Sequence, residues 1–133
     1  MYIIICLDDN NGLAFNHRRQ SQDRIVAEDI RKTVGEKKLW ITDYSRKLFQ
    51  AVSNLEISEN PKEEAKEGEY VFQELETLNT GDERIEQFII YRWNRVYPAD
   101  VSVEIGAEWK LTETEEFSGF SHEKITKEIY RRE

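Results

Sequence analysis

The sequence predicts a single small α/β domain: a mixed β-sheet flanked by helices, with an antiparallel pair of strands at its C-terminal end. Three observations carry that expectation. Residues 2–7, YIIICL, are apolar without interruption and rich in β-branched side chains, the pattern of a strand buried on both faces. Residues 21–52 then alternate helical and strand patterns, so the chain begins in βαβα order. Residues 109–117 and 123–130 read as two antiparallel strands joined around Ser118 and Gly119. With 133 residues the chain has the length of one ordinary domain, 1–133, and it shows neither an internal repeat nor a dividing linker.

Local chemistry justifies each element. Asp8, Asp9, Asn10, Asn11 and Gly12 end the first strand in a turn. Ser21 is a candidate cap for a helix with Asp23 in its first turn, a buried stripe of Val26, Ile30 and Val34, and Gly35 as its stop. Residues 39–42 form a short strand, after which Asp43 is placed to cap a second helix burying Leu48, Phe49 and Val52. Residues 55–57 suggest a third strand, and Pro61 opens a charged segment compatible with a short surface helix. Residues 70–75 and 84–94 read as strands. In the longer one, period-two alternation puts Ile85, Gln87, Ile89, Tyr91 and Trp93 on one face, with Phe88 and Ile90 on the other.

Composition narrows the function classes. The formal charge is -8 and the isoelectric point near 4.9, a net negative field that opposes bulk nucleic acid and anionic membranes. The lone Cys6 excludes an internal disulfide and a multi-cysteine zinc site, and its apolar run points to an inert buried thiol. The opening apolar run is too short for a signal-peptide core or a membrane span, so a cytoplasmic location is expected.

The order of elements, with Asn11-Gly12-Leu13-Ala14-Phe15-Asn16 after the first strand and Trp109 with Ile129-Tyr130-Arg131-Arg132 at the end, resembles dihydrofolate reductase. In that family the loop after the first strand is mobile, and the cofactor pyrophosphate rests on a Gly-Gly turn at a helix N-terminus. Here every glycine, at 12, 35, 68, 81, 106 and 119, is isolated. Thr42-Asp43 stands where the family has Gly-Arg, putting a carboxylate at an anion-receiving helix start. The family's substrate-anchoring acid would align near Val26, between Asp23 and Asp29. Folate reduction is therefore not expected, and no cofactor is predicted. The stretches FNHRRQSQDR, YRWNRVYPAD and SHEKITKE also resemble a group of short bacterial proteins that carry the name ribonuclease Z. The two-zinc metallo-β-lactamase enzymes of that name use an HxHxDH motif, whereas this chain has only His17 and His122.

The candidate site begins in residues 11–24, NGLAFNHRRQSQDR. Asn16, His17, Arg18, Arg19, Gln20, Asp23 and Arg24 combine guanidinium forks with directional amides, a mixture suited to carboxylate or phosphate. The bland alternative is that these arginines pair with the acidic surface, or that Gln20 to Arg24 merely begins a helix. In Tyr91-Arg92-Trp93-Asn94-Arg95-Val96-Tyr97-Pro98 the interleaved rings and cations suit stacking, or simply core and edge positions, and Arg92 and Asn94 join the candidate set. His122 sits beside a turn, with no serine or cysteine nucleophile at readable spacing. The leading expectation is a non-reductase module binding an anionic or nucleotide-like small molecule, or a protein, through residues 11–24. The alternatives are a metal-assisted phosphodiester (RNA) hydrolase using Asp8, Asp9 or Asp23 with His17 or His122 and one Mg²⁺, and a homodimer built on exposed aromatics. Clustering of residues 16–24 with Arg92, Asn94 and His122 would favour a site.

Overall fold

A computed structural model describes residues 1–132. Its main sheet has seven strands: β1 (Tyr2–Leu7), β4 (Leu39–Ile41), β5 (Leu55–Ile57), β6 (Tyr70–Phe72), β7 (Gln87–Arg92), β9 (Trp109–Phe117) and β10 (Ile125–Arg132). A second, three-stranded sheet holds β2 (Gly12–Phe15), β3 (Arg18–Arg19) and β8 (Val101–Ser102). The main sheet runs in the order β5-β4-β6-β1-β7-β10-β9. Neighbouring strands are parallel from β5 to β7, while β10 and β9 are antiparallel to their neighbours. The expected mixed sheet and C-terminal antiparallel pair are both present.

β1 lies between β6 and β7, which explains its unbroken apolar run. Ile4 faces the layer formed by α1 (Arg24–Val34), packing with Val26, Ile30 and Val34 of the helix stripe. Ile3, Ile5 and Leu7 face the other side with Phe88, Ile90 and Trp109. There the Trp109 ring meets Phe88 edge-on at 4.7 Å and donates its N–H to the Thr80 carbonyl at 2.8 Å, closing the face beneath the sheet edge. Gly35 takes φ +60°, the left-handed stop that a side chain would strain.

Several local expectations are corrected. Asp23, not Ser21, is the N-cap of α1: its backbone is extended and its carboxylate accepts the Ile25 N–H. The segment after β4 is a 3-10 helix over Asp43–Phe49, with Asp43 inside its first turn and paired to Arg46 at 2.7 Å rather than capping. Phe49 and Val52 are buried as expected, and Leu48 is half-buried. Ile85 packs with Phe88 and Ile90, because the strand begins only at Gln87 and a turn closed by Ile85 N–H to the Asp82 carbonyl breaks the alternation. The helix at Pro61–Glu64, α2, is a single turn. Residues 11–24 are built rather than loose: β2 and β3 form a hairpin whose two-residue turn, Asn16 and His17, has φ of 52° and 60°.

Candidate functional site

A narrow cleft opens between β1, α1, the 3-10 helix and the segment 19–23. Cys6, Leu13, Val26, Ile30, Phe49 and Trp93 supply apolar walls, and Arg19, Gln20, Ser21, Gln22, Asp23, Gln73 and Glu74 supply polar lining. Its cavity volume is about 30 Å³, enough for about two waters. Cys6 is half-buried, and burial first, then the charge of Glu74, pushes its thiol far above the ordinary range.

At one end Asp23 organises a network of five donors. Its Oδ1 accepts the N–H groups of Ile25 and Phe120 at 2.9 Å each. Its Oδ2 accepts the Ser121 N–H at 2.9 Å, the Ser121 hydroxyl at 3.2 Å and His122 Nδ1 at 2.9 Å. The imidazole is stacked on Trp93 with centroids 4.7 Å apart, and its Nε2 meets Ser21 Oγ at 3.0 Å and the Tyr97 hydroxyl at 3.2 Å. Gly119 is required here by close approach: a Cβ would sit 2.7 Å from Asp23 Oδ2 and 2.9 Å from the His122 carbonyl oxygen. His122 therefore does have a hydroxyl partner. Ser21 lies 101 positions away, beyond any spacing readable along the chain.

Asp8 is the second organising carboxylate. It accepts the N–H groups of Asn10 and Gly12 at 2.8 Å each, the Tyr97 N–H at 3.1 Å and the Gln20 amide at 3.0 Å. Gln20 Oε1 is buried without a partner among the described residues. Glu74, unmarked by the sequence reading, is held by Ser45 Oγ at 2.6 Å and by Arg19 through Nε at 2.6 Å and Nη2 at 3.1 Å, while the Arg19 guanidinium also lies over the Tyr44 ring.

The predicted cluster is thus divided. Gln20 and Asp23 come together with His122 around Ser21 and Tyr97. Arg92 is tied to Glu128 at 2.8 Å and to Asn11, and Asn94 to the Lys124 carbonyl at 3.1 Å and Thr126 Oγ1 at 3.0 Å, so both pin strands. Asn16 donates its backbone N–H to Asp100, His17 and Arg18 sit exposed at the hairpin, and Arg24 lies over the Phe120 ring at 4.2 Å. Asp8, Asp9, Asp23, His17 and His122 do not gather as a ligand set; among the described residues no three His, Cys, Asp or Glu side chains do. Asp29 accepts from the Tyr91 hydroxyl at 2.6 Å and pairs with Lys127, so neither acid flanking Val26 stands free in the cleft.

Burial alone would raise the pKa of Asp8 and Asp23, but the donors aimed at each outweigh it and hold both below the ordinary carboxylate range. A carboxylate depressed in the folded state contributes stability above its unfolded pKa of about 3.9, and that contribution is lost as pH falls through the folded value. Thermal midpoints are therefore expected to stay level from about pH 7 to 5 and to drop below about pH 4. Asp8→Asn should lie below the parent at neutral pH, and the gap should narrow as pH falls below about 4, as calorimetry across that range would test.

The architecture has a counterpart among solved structures. A dihydrofolate reductase from Enterococcus faecalis, complexed with NADP(H) and RAB-propyl, matches with a TM-score of 0.64 at 9% identity, covering 98% of this chain and 95% of that one. The fold is dihydrofolate reductase-like. No family model matches, and no curated protein does. The ribonuclease Z resemblance rests on its quoted stretches alone. Among the described residues, no helix is long and apolar enough to cross a membrane.

Beyond the ends of β4, β5 and β6 lies a groove of about 660 Å³, lined by Asp43, Glu59, Glu63, Glu74 and Glu76 with Lys62 as its one cation. No glycine lines it, so backbone N–H groups have no bare approach to a phosphate, and the carboxylates repel one.

Proposed function

We propose that the chain is a non-reductase binding module for an anionic, nucleotide-like small molecule, received along the 11–24 segment. One observation carries this reading: Gln20, in the wall that this segment gives the cleft, keeps a buried amide oxygen unpaired. Buried acceptors are nearly always satisfied, and an N–H donor on a ligand lying across the mouth of the cleft would satisfy this one. Arg18 and Arg24 flank that wall in the chain and are exposed, whereas Arg19 is neutralised by Glu74. The anionic part of the ligand would therefore meet Arg18 or Arg24.

Thermal melts with mononucleotides, heteroaromatic carboxylates, short RNA, inorganic phosphate and NADPH test the proposal. A ligand at about 100 times its Kd stabilises by about 2.7 kcal/mol, and a mononucleotide or heteroaromatic acid is expected to do so. The effect should vanish when Ala27→Leu fills the cleft and weaken in Arg18→Ala or Arg24→Ala. NADPH is expected to give no shift. Stabilisation by NADPH alone, or by nothing in the panel, would refute the reading.

A further inference from the structure

The Asp23 network contains the parts of a nucleophilic relay, and two of them, Ser21 and Asp23, border the cleft, with His122 behind them stacked on the cleft residue Trp93. Ser21 Oγ stands 3.0 Å from His122 Nε2, and His122 Nδ1 stands 2.9 Å from Asp23 Oδ2. The carboxylate is fully buried and fixed by three backbone N–H groups, and Trp93 stacks on the imidazole. An ionised acceptor at Nδ1 holds the ring proton there and turns the Nε2 lone pair toward the hydroxyls. Ser21 is half-exposed and lines the cleft, so the hydroxyl facing that lone pair is within reach of a ligand. A helix cap alone needs neither the imidazole nor the second hydroxyl.

We propose that Ser21, His122 and Asp23 form a serine-type acyl-transfer centre that hydrolyses small esters. Ser21 Oγ bonds to the ester carbonyl carbon as Nε2 takes its proton. The C–O bond to the alcohol breaks, its electron pair leaves on the alcohol oxygen, and Nε2 returns the proton to that oxygen. Water then adds to the acyl-serine carbon, gives a proton to Nε2, and Ser21 departs with it, so ester and water become acid and alcohol. Once Nε2 is protonated it no longer accepts from the Tyr97 hydroxyl at 3.2 Å, which is freed to donate to the oxyanion. The cavity volume of about 30 Å³ limits the acyl group to acetyl size. The assignment rests on the cleft reading above only for where the alcohol portion lies.

The full chain is treated with 4-nitrophenyl acetate in rapid mixing, and the acetylated chain is mapped by peptide mass. The expected result is modification at Ser21 and a burst of one nitrophenolate per chain. Both should be lost in Ser21→Ala and reduced about a hundredfold or more in His122→Gln, with steady turnover about a hundredfold lower in Tyr97→Phe. Circular dichroism checks that each variant is folded, and Ser21→Cys should transfer reactivity to a thiol alkylated by iodoacetamide faster than Cys6. A folded parent that is unmodified at Ser21, or modified equally with and without His122, overturns the proposal. Ligand melts of the parent separate the two readings. A parent stabilised by nucleotides yet unreactive at Ser21 overturns the relay alone, and one reactive at Ser21 yet stabilised by nothing supports the relay while removing the ligand reading.

Discussion

Asp23→Ala is expected to destabilise the protein by about 3 to 5 kcal/mol at pH 7, lowering the thermal midpoint by roughly 10–15 °C. A helix cap by itself contributes about 1 kcal/mol. The larger figure follows from where the remaining donors lie. Phe120, Ser121 and His122 belong to the turn between β9 and β10, and Asp23 is what ties that turn to the start of α1 across 97 to 99 positions of the chain. Alanine would leave the Phe120 and Ser121 N–H groups and one imidazole nitrogen without an acceptor, and water would have to enter beside Trp93 to serve them. Asp23→Asn keeps one oxygen for Ile25 and Phe120 but turns an NH₂ toward Ser121 and His122, so its loss should fall between alanine and parent. Urea melts of the three proteins decide it. A loss near 1 kcal/mol for alanine would reduce Asp23 to an ordinary cap and detach the turn from the account of stability.

This tie also shows which parts of the molecule local chemistry announces. β1, the Val26, Ile30 and Val34 stripe and the Gly35 stop depend on neighbours within a few residues and lie where periodicity places them, while the β9–β10 pair is present with its second strand two residues later than expected, at Ile125–Arg132. Ser21 and Asp23 are both competent caps two positions apart, and what separates their roles is an imidazole about 100 positions later. Ile85 changes face because a turn, not a strand, precedes Gln87. β8 has only two residues and takes its conformation from pairing with β2, so it has no periodicity to read. Within the candidate site His122, Asp23 and Gln20 were legible as residue types. Tyr97 fell within the aromatic–arginine stretch without a role of its own, and Glu74 was not legible, since a carboxylate in an acidic chain carries no mark until a guanidinium faces it.

The two adjacent arginines of the hairpin should separate sharply under substitution. Arg18 is exposed and has no partner among the described residues, so Arg18→Ala should change stability by no more than about 0.5 kcal/mol while weakening anion-dependent stabilisation. Arg19 is different in kind. It holds Glu74, whose side chain is 8% exposed, with two charge-assisted bonds, and Arg19→Ala would leave that carboxylate facing Ser45 alone beside the Cys6 floor of the cleft. Stranding a buried charge costs about 3 to 5 kcal/mol, and the 22% exposure of the Arg19 side chain, which lets water reach the vacated place, puts the expected loss at about 3 kcal/mol. The companion change tests the cause. Glu74→Gln removes the charge to be stranded, so the double variant Arg19→Ala with Glu74→Gln should recover more than about 1 kcal/mol of the single loss. Additive losses in that cycle would mean that Arg19 acts through its stacking on Tyr44 and not through Glu74, and the cation would then be free to meet a ligand in the cleft.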